Sequence, residues 1–414
     1  MSGSPYLDTA ADATRWVLAR TVPAPRGGLA LPPSREPLVG HEPDGVADDL
    51  YAGGAGLLAL AAEARLTGVD LPVERVRDRV VALAASPEDV GLYEGIAGYG
   101  AALLAYAHAT GDPVAAAGVD AAVARLADAW TPDGWPPPAR YPGHVYLDVL
   151  SGAAGVALFL VAAGTPTALA LAERAGDLLL AHAEPTEAGL DWPMRLGHDT
   201  RMPNFSHGTA GAATALALTG RACGRPDLVK AGVRGADHLR SLARPGPGFL
   251  LPNAIPPAEG HEPVSYGWCH GPTGTARLFW AVDDPDVVDG CIEAIRASGL
   301  PRRLRPGFWD NLGRCCGSAG VGDVVLDRYQ QTGRPDLLAF AHLLADDILA
   351  RATRDEHGTR WSFVEHRNDE PELPPEAGWM QGAAGIAAFL YRLHRVDHHG
   401  IAAPRIPWVD APVS

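Results

Sequence analysis

The chain has 414 residues and 47% hydrophobic content, more than one compact core usually carries, so two domains or one large closed architecture are the options. A formal charge of −15, with most arginines set singly among acids, excludes a surface that wraps a nucleic-acid backbone. Five cysteines, an odd number, and an N-terminus with no basic stretch leading into an apolar one point to free thiols in a reducing cytoplasm.

Residues 1–45 read as a lead-in. From 50 to 393 one pattern recurs: "LYAGGAGLLAL", "LYEGIAGYGAALL", "DVLSGAAGVALFL", "FSHGTAGAATALAL", "WCHGPTGTARLF", "CCGSAGVGDVVL" and "WMQGAAGIAAFL". Each copy holds GxxG before an apolar run. The first glycines are Gly53, Gly95, Gly152, Gly208, Gly271, Gly317 and Gly382, at intervals of 42, 57, 56, 63, 46 and 65 residues. Such intervals accommodate two helices with their loops. After Gly98, "YGAALLAYAHATGDP" is apolar nearly all round and is closed by Gly111 and Pro113. "VAAAGVDAAVARLADAW" follows with its charges on one face. The first helix of each pair is therefore expected to be buried and the second to face water.

The uncharged stretch from Val149 to Ala172 is long enough to cross a bilayer. Its glycines and the Thr165-Pro166-Thr167 run interrupt it, so the spacing predicts a packed helix and a turn, with no integral membrane segment. Glycine at the head of each buried helix is expected to allow close backbone approach and to leave first-turn N–H groups pointing at a ligand. No atypical polar capping repeat stands at either end, which favours a ring over an open solenoid. The predicted fold is all-α: one α/α toroid domain over 1–414 with seven inner and seven outer helices, its GxxG turns gathered at one end.

Chemistry-bearing residues sit on those turns. "SHG" supplies His207, "WCHG" supplies Cys269 and His270, and "RCCG" supplies Cys315 and Cys316. Zinc takes thiolate and imidazole readily, and three protein ligands with an open position make a catalytic site, so Cys269, Cys315 and Cys316 are the expected Zn2+ ligands. Cys223 and Cys291 lie in helical patterns and read as small buried hydrophobes. A thiolate-rich metal favours activating a soft nucleophile such as a substrate thiol, which coordination deprotonates. Deprotonating a free thiol of pKa near 8.5 at neutral pH is worth about 2 kcal/mol at most, so positioning and charge handling must supply the rest.

The seven GxxG turns, "SHGTAG", "WCHG" and "CCG", in that order and spacing, resemble the lanthionine synthetase C-like proteins, from about Leu50 to Leu393. The resemblance implies an α/α toroid with zinc at one end. It also implies addition of peptide cysteine thiols to dehydroalanine or dehydrobutyrine, closing thioether rings in a precursor peptide. It places the zinc ligands on Cys269, Cys315 and Cys316, the acid/base histidine on His207, and the family's aspartate on Asp148 in "YLDVLSG". Most stand-alone members carry Cys-His-Gly at the last ligand, so Cys316 is similar instead to the three-cysteine variant of fused dehydratase-cyclases. His270 stands where some relatives have tyrosine, as a donor to the enolate or a group behind the metal. Ser265 stands where some have arginine.

The implied partners are a dehydrated precursor peptide and a separate dehydratase, because no appended domain of sufficient size is evident. A relative that binds glutathione or another thiol at the same zinc is the alternative. A carbohydrate-active toroid would need paired acids in an aromatic cleft and has no use for three cysteines. A helical scaffold without activity would leave the clustering unexplained. The Pro/Gly-rich segments 244–268 and 363–379 read as loops, the first near the mouth of the site.

Overall fold

The computed structural model describes residues 4–34, 45–139, 142–257, 262–304, 309–364 and 370–411. The fold over these residues is all-α, with fourteen helices and strands of only two or three residues. Seven helices follow the GxxG turns: α2 (Ala55–Leu66), α4 (Ile96–Thr110), α6 (Ala153–Ala163), α8 (Thr209–Cys223), α10 (Pro272–Ala281), α12 (Ser318–Thr332) and α14 (Ala383–His399). Seven alternate with them: α1 (Pro5–Leu18), α3 (Glu74–Ala84), α5 (Pro113–Ala129), α7 (Pro166–Ala181), α9 (Pro226–Ser241), α11 (Pro285–Ala297) and α13 (Pro335–Ala350).

The two sets differ as their composition requires. In α6 every residue from Ala153 to Leu160 is buried. In α9 burial is confined to Leu228, Ala231, Gly232, Gly235, Ala236 and Leu239, a single stripe at helical spacing. Four of the turns between paired helices, at 111–113, 164–166, 224–226 and 333–335, carry a Gly-x-Pro signature. Gly164 adopts φ 66° after α6, Thr165 caps α7 by accepting the Ala168 N–H at 3.2 Å, and Pro166 occupies the first helical position. The uncharged stretch 149–172 is thus broken at Gly164, and among the described residues no helix is long and apolar enough to cross a membrane.

The GxxG glycines are packing devices. A Cβ on Gly155 would lie 2.0 Å from the Val149 carbonyl oxygen, and one on Gly211 would lie 2.1 Å from that of Phe205. The same relation, second glycine against the carbonyl six residues earlier, holds for Gly274 with Trp268, Gly320 with Arg314 and Gly385 with Trp379. The expectation that first-turn N–H groups stay open for a ligand is corrected. Ala153, Ala154 and Gly155 donate to Tyr146, Leu147 and Asp148, and Ala319 and Gly320 to Leu312 and Gly313. In these turns the loop curls under its own helix and satisfies donors that the helix leaves unpaired.

The chain packs as two compact units, residues 1–82, 102–118 and 299–407 in one, and 83–101, 119–298 and 408–414 in the other. In the second, successive turns are joined by main-chain bonds: Tyr93 N to Leu150 O, Val149 N to Ser206 O and Ser206 N to Cys269 O. In the first, Cys315 N donates to Met380 O and Met380 N to Tyr51 O, both at 2.9 Å. The seventh GxxG turn is therefore bonded to the first.

The lead-in is structural. Helix α1 packs along α14, the last GxxG helix, and supplies its amphipathic partner. Tyr6 donates to Asp346 of α13 at 2.8 Å, and Thr14 lies 3.3 Å from the hydroxyl of Tyr391. A hairpin of Thr353–Asp355 against Gly358–Arg360 closes over it, with Thr359 donating to Asp12 at 2.6 Å. The segment read as a loop at 363–379 contains a second hairpin, Phe363–Val364 against Glu372–Leu373, and residues 365–369 of it lie outside those described. Of the loop at 244–268, residues 258–261 lie outside them as well.

Candidate active site

The residue immediately before the first glycine is the position that each turn presents. In the seven copies it is Ala52, Glu94, Ser151, His207, His270, Cys316 and Gln381. All are partly exposed except Ser151, which is 7% exposed, while the adjoining Cys269 and Cys315 are buried. Because the loop is pinned beneath the helix by the bonds above, a side chain at this position cannot fold back. Six of the seven are polar or thiol-bearing.

The second unit carries the titratable pair. His207 Nδ1 donates to Asp148 Oδ2 at 2.7 Å, and the other oxygen of Asp148 accepts the Ser151 N–H at 3.0 Å. Asp148 is 2% exposed, whereas the His207 side chain is about a quarter exposed. A carboxylate can only accept, so the proton on the imidazole is at Nδ1 and Nε2 of neutral His207 keeps its lone pair. One turn further, the His270 ring lies 5.7 Å from that of His207, centroid to centroid. Ser206 holds the intervening backbone, its N–H and hydroxyl donating to the Cys269 carbonyl at 3.1 and 3.0 Å. Ser151 also donates to Glu94 at 2.9 Å, linking two more of the turn positions.

In the first unit Cys315 and Cys316 are not joined in a disulfide, and their sulfurs are 3.4 Å apart. Gln381 Nε2 donates to Cys316 Sγ at 3.5 Å and to the Tyr51 hydroxyl at 3.3 Å. With Cys269, on an equivalent turn, Cys315 and Cys316 make the group of three thiols that could hold a metal ion. Cys291 is fully buried and its pKa is raised by burial; Cys223 is partly buried and also raised, first by burial and then by Glu173. Cys291 is the buried small hydrophobe that the sequence predicts, whereas Cys223, at the end of α8, is only partly buried. Sequence reading did not single out Glu94, Ser151 or Gln381. Aligning the copies on their first glycine would have found them. Asn204 was also passed over, because its partner His270 is 66 residues away in sequence.

A family model, Lanthionine synthetase C-like protein, matches residues 45–401. The chain belongs to the lanthionine synthetase C-like family. No curated protein sequence matches it. Among solved structures, nisin cyclase superposes with a TM-score of 0.57 at 14% identity, over 87% of this chain and 92% of that one. A glycoside hydrolase family 76 mannosidase from Bacteroides thetaiotaomicron VPI-5482 gives 0.52 at 13%, over 95% and 99%. The unsaturated glucuronyl hydrolase of Bacillus sp. GL1 gives 0.50 at 13%, over 84% and 97%. At these identities the likeness is one of fold, the α/α toroid kind, and it is shared by proteins with different activities in their names. The thiol group therefore says more about chemistry than the fold does.

Proposed function

We propose that this lanthionine synthetase C-like protein is a zinc-dependent lanthipeptide cyclase, adding cysteine thiols of a precursor peptide to its dehydroalanine or dehydrobutyrine residues. The observation that carries the reading is the trio of thiols at Cys269, Cys315 and Cys316, set on turns equivalent to those of His207 and Asp148. The donor set fits zinc, which accepts three thiolates and keeps a fourth position open, and would be held by these three residues. When bound, zinc supplies a substrate thiol that is ionised at neutral pH.

The remaining work falls to the chain. Ring closure breaks the S–H and C=C π bonds and forms C–S and C–H bonds, so one proton must leave sulfur and arrive at the α-carbon. His207 Nε2 holds and returns it, a role supported by the bond from Nδ1 to Asp148, which fixes the ring and stabilises the imidazolium. His270 donates to the enolate oxygen that develops between the two steps. The peptide reaches the site already dehydrated, so a separate dehydratase acts first, and the pair work in the cytoplasm, where thiols persist.

The reading is tested by incubating the purified, zinc-loaded protein with a dehydrated precursor peptide. Loss of free thiols without change in peptide mass is expected; saturable binding of glutathione with no ring formation on any candidate peptide would overturn it. A glycosidase reading would gain only if elemental analysis found no zinc and a glycan were cleaved.

A further inference from the structure

The side chain of Asn204 is 1% exposed and is oriented by a group that cannot switch roles. The backbone N–H of His207 points at Asn204 Oδ1 at 3.1 Å, and a backbone N–H only donates, so the atom facing it is the carbonyl oxygen. Ser206 Oγ lies 3.4 Å from the same oxygen. The amide nitrogen therefore faces the opposite way, toward the Asn253 carbonyl at 3.4 Å and His270 Nδ1 at 2.8 Å. An amide N–H has no acceptor capacity either, so His270 Nδ1 must be the lone-pair nitrogen and the ring proton must sit on Nε2. This chain of constraints starts from one main-chain amide and ends on the tautomer of a histidine two elements away.

We propose that Asn204 is a positioning residue that fixes His270 in its Nε2–H form, so that His207 and His270 present opposite Nε2 valences. His207, bonded through Nδ1–H to Asp148, presents a lone pair that takes up a proton. His270, accepting at Nδ1 from Asn204, presents an N–H. Two imidazoles with rings 5.7 Å apart are thereby kept from doing the same job. No bond is made or broken by Asn204 itself. Its effect is to hold the donor at Nε2 of His270 before substrate arrives, which saves a tautomer change during the reaction. The kinetic consequence rests on the cyclase reading, whereas the tautomer does not.

The experiment uses the full chain labelled with 15N-histidine and long-range 1H–15N correlation at about pH 8, above the ordinary imidazole range. The expected wild-type pattern for His270, identified by its loss in His270→Gln, is a proton on Nε2 alone. Asn204→Asp keeps the acceptor for the His207 N–H but offers His270 a second acceptor, so the proton is expected on Nδ1. In the cyclisation assay, Asn204→Ala is expected to lower kcat about 10- to 100-fold at unchanged zinc content, as loss of an orienting partner typically does, and to cost less in a His270→Gln background, where only the acceptor for the His207 N–H is lost. A wild-type His270 protonated at Nδ1, or an Asn204→Ala penalty equal in both backgrounds, overturns the inference. A protein that closes no rings but shows the Nε2–H pattern would leave the tautomer assignment standing and remove the cyclase reading instead.

Discussion

At the scale of single residues, the third thiol is the feature that separates this chain from most stand-alone members its motifs resemble. Cys316 is partly exposed and accepts a hydrogen bond from Gln381, a polarity that suits a thiolate and leaves room for substitution. Cys316→His should therefore retain zinc while changing the ring-closure rate, checked by metal content and single-turnover kinetics side by side; complete loss of metal would show that only thiolate is accepted there. His207→Asn, by contrast, should leave metal content intact and lower kcat by about 10²- to 10⁴-fold, the usual worth of a positioned proton donor. Asp148 is buried and engaged at both oxygens, so Asp148→Asn should reduce kcat by misorienting His207.

At the scale of elements, the GxxG turn and helix α1 make separate predictions. A methyl at Gly320 would meet the Arg314 carbonyl at 1.9 Å, and the backbone there cannot yield without disturbing Cys315. Gly320→Ala should destabilise by about 1–3 kcal/mol, the range for overpacking a filled core, read as a lowered Tm. Helix α1 is fastened through His342, which lies 3.0 Å from Asp397 through Nε2 and 3.1 Å from the Tyr6 hydroxyl through Nδ1. The hydrogen bond to Asp397 raises the His342 pKa above its ordinary value, against the opposing effect of burial. A folded-state pKa above the unfolded one stabilises fully below about 6.5 and is lost as pH rises through the folded value. Urea unfolding should accordingly show stability declining over that window in the wild type and a flatter profile in His342→Gln.

At the scale of the whole molecule, the bond from Met380 N to Tyr51 O joins the last repeat turn to the first. On the zinc-cyclase reading the three thiols come from turns far apart in sequence, so zinc would bind the folded state alone. At free zinc about 100 times the dissociation constant the added stability is about 2.7 kcal/mol. Chelation should lower Tm, and re-addition of zinc should restore it; a Tm indifferent to chelator would mean that the thiols hold no metal.

The sequence by itself determined the helical class, the seven-fold repeat and the identity of the turn chemistry. Those are written in local spacing, where a GxxG before an apolar run has one economical backbone solution, and in residue types that few other roles require. His207, Cys269, Cys315 and Cys316 were legible for that reason, and the Gly-x-Pro signature of Gly111 and Pro113 likewise. Only the tertiary structure decided what the lead-in does, where the first-turn N–H groups go and which nitrogen of His270 carries the proton. Each of those depends on a partner remote in sequence: α14 for α1, the underlying loop for each helix start, and Asn204 for His270. A hydrogen bond has direction as well as distance, and no spacing rule along a chain records which way an amide faces.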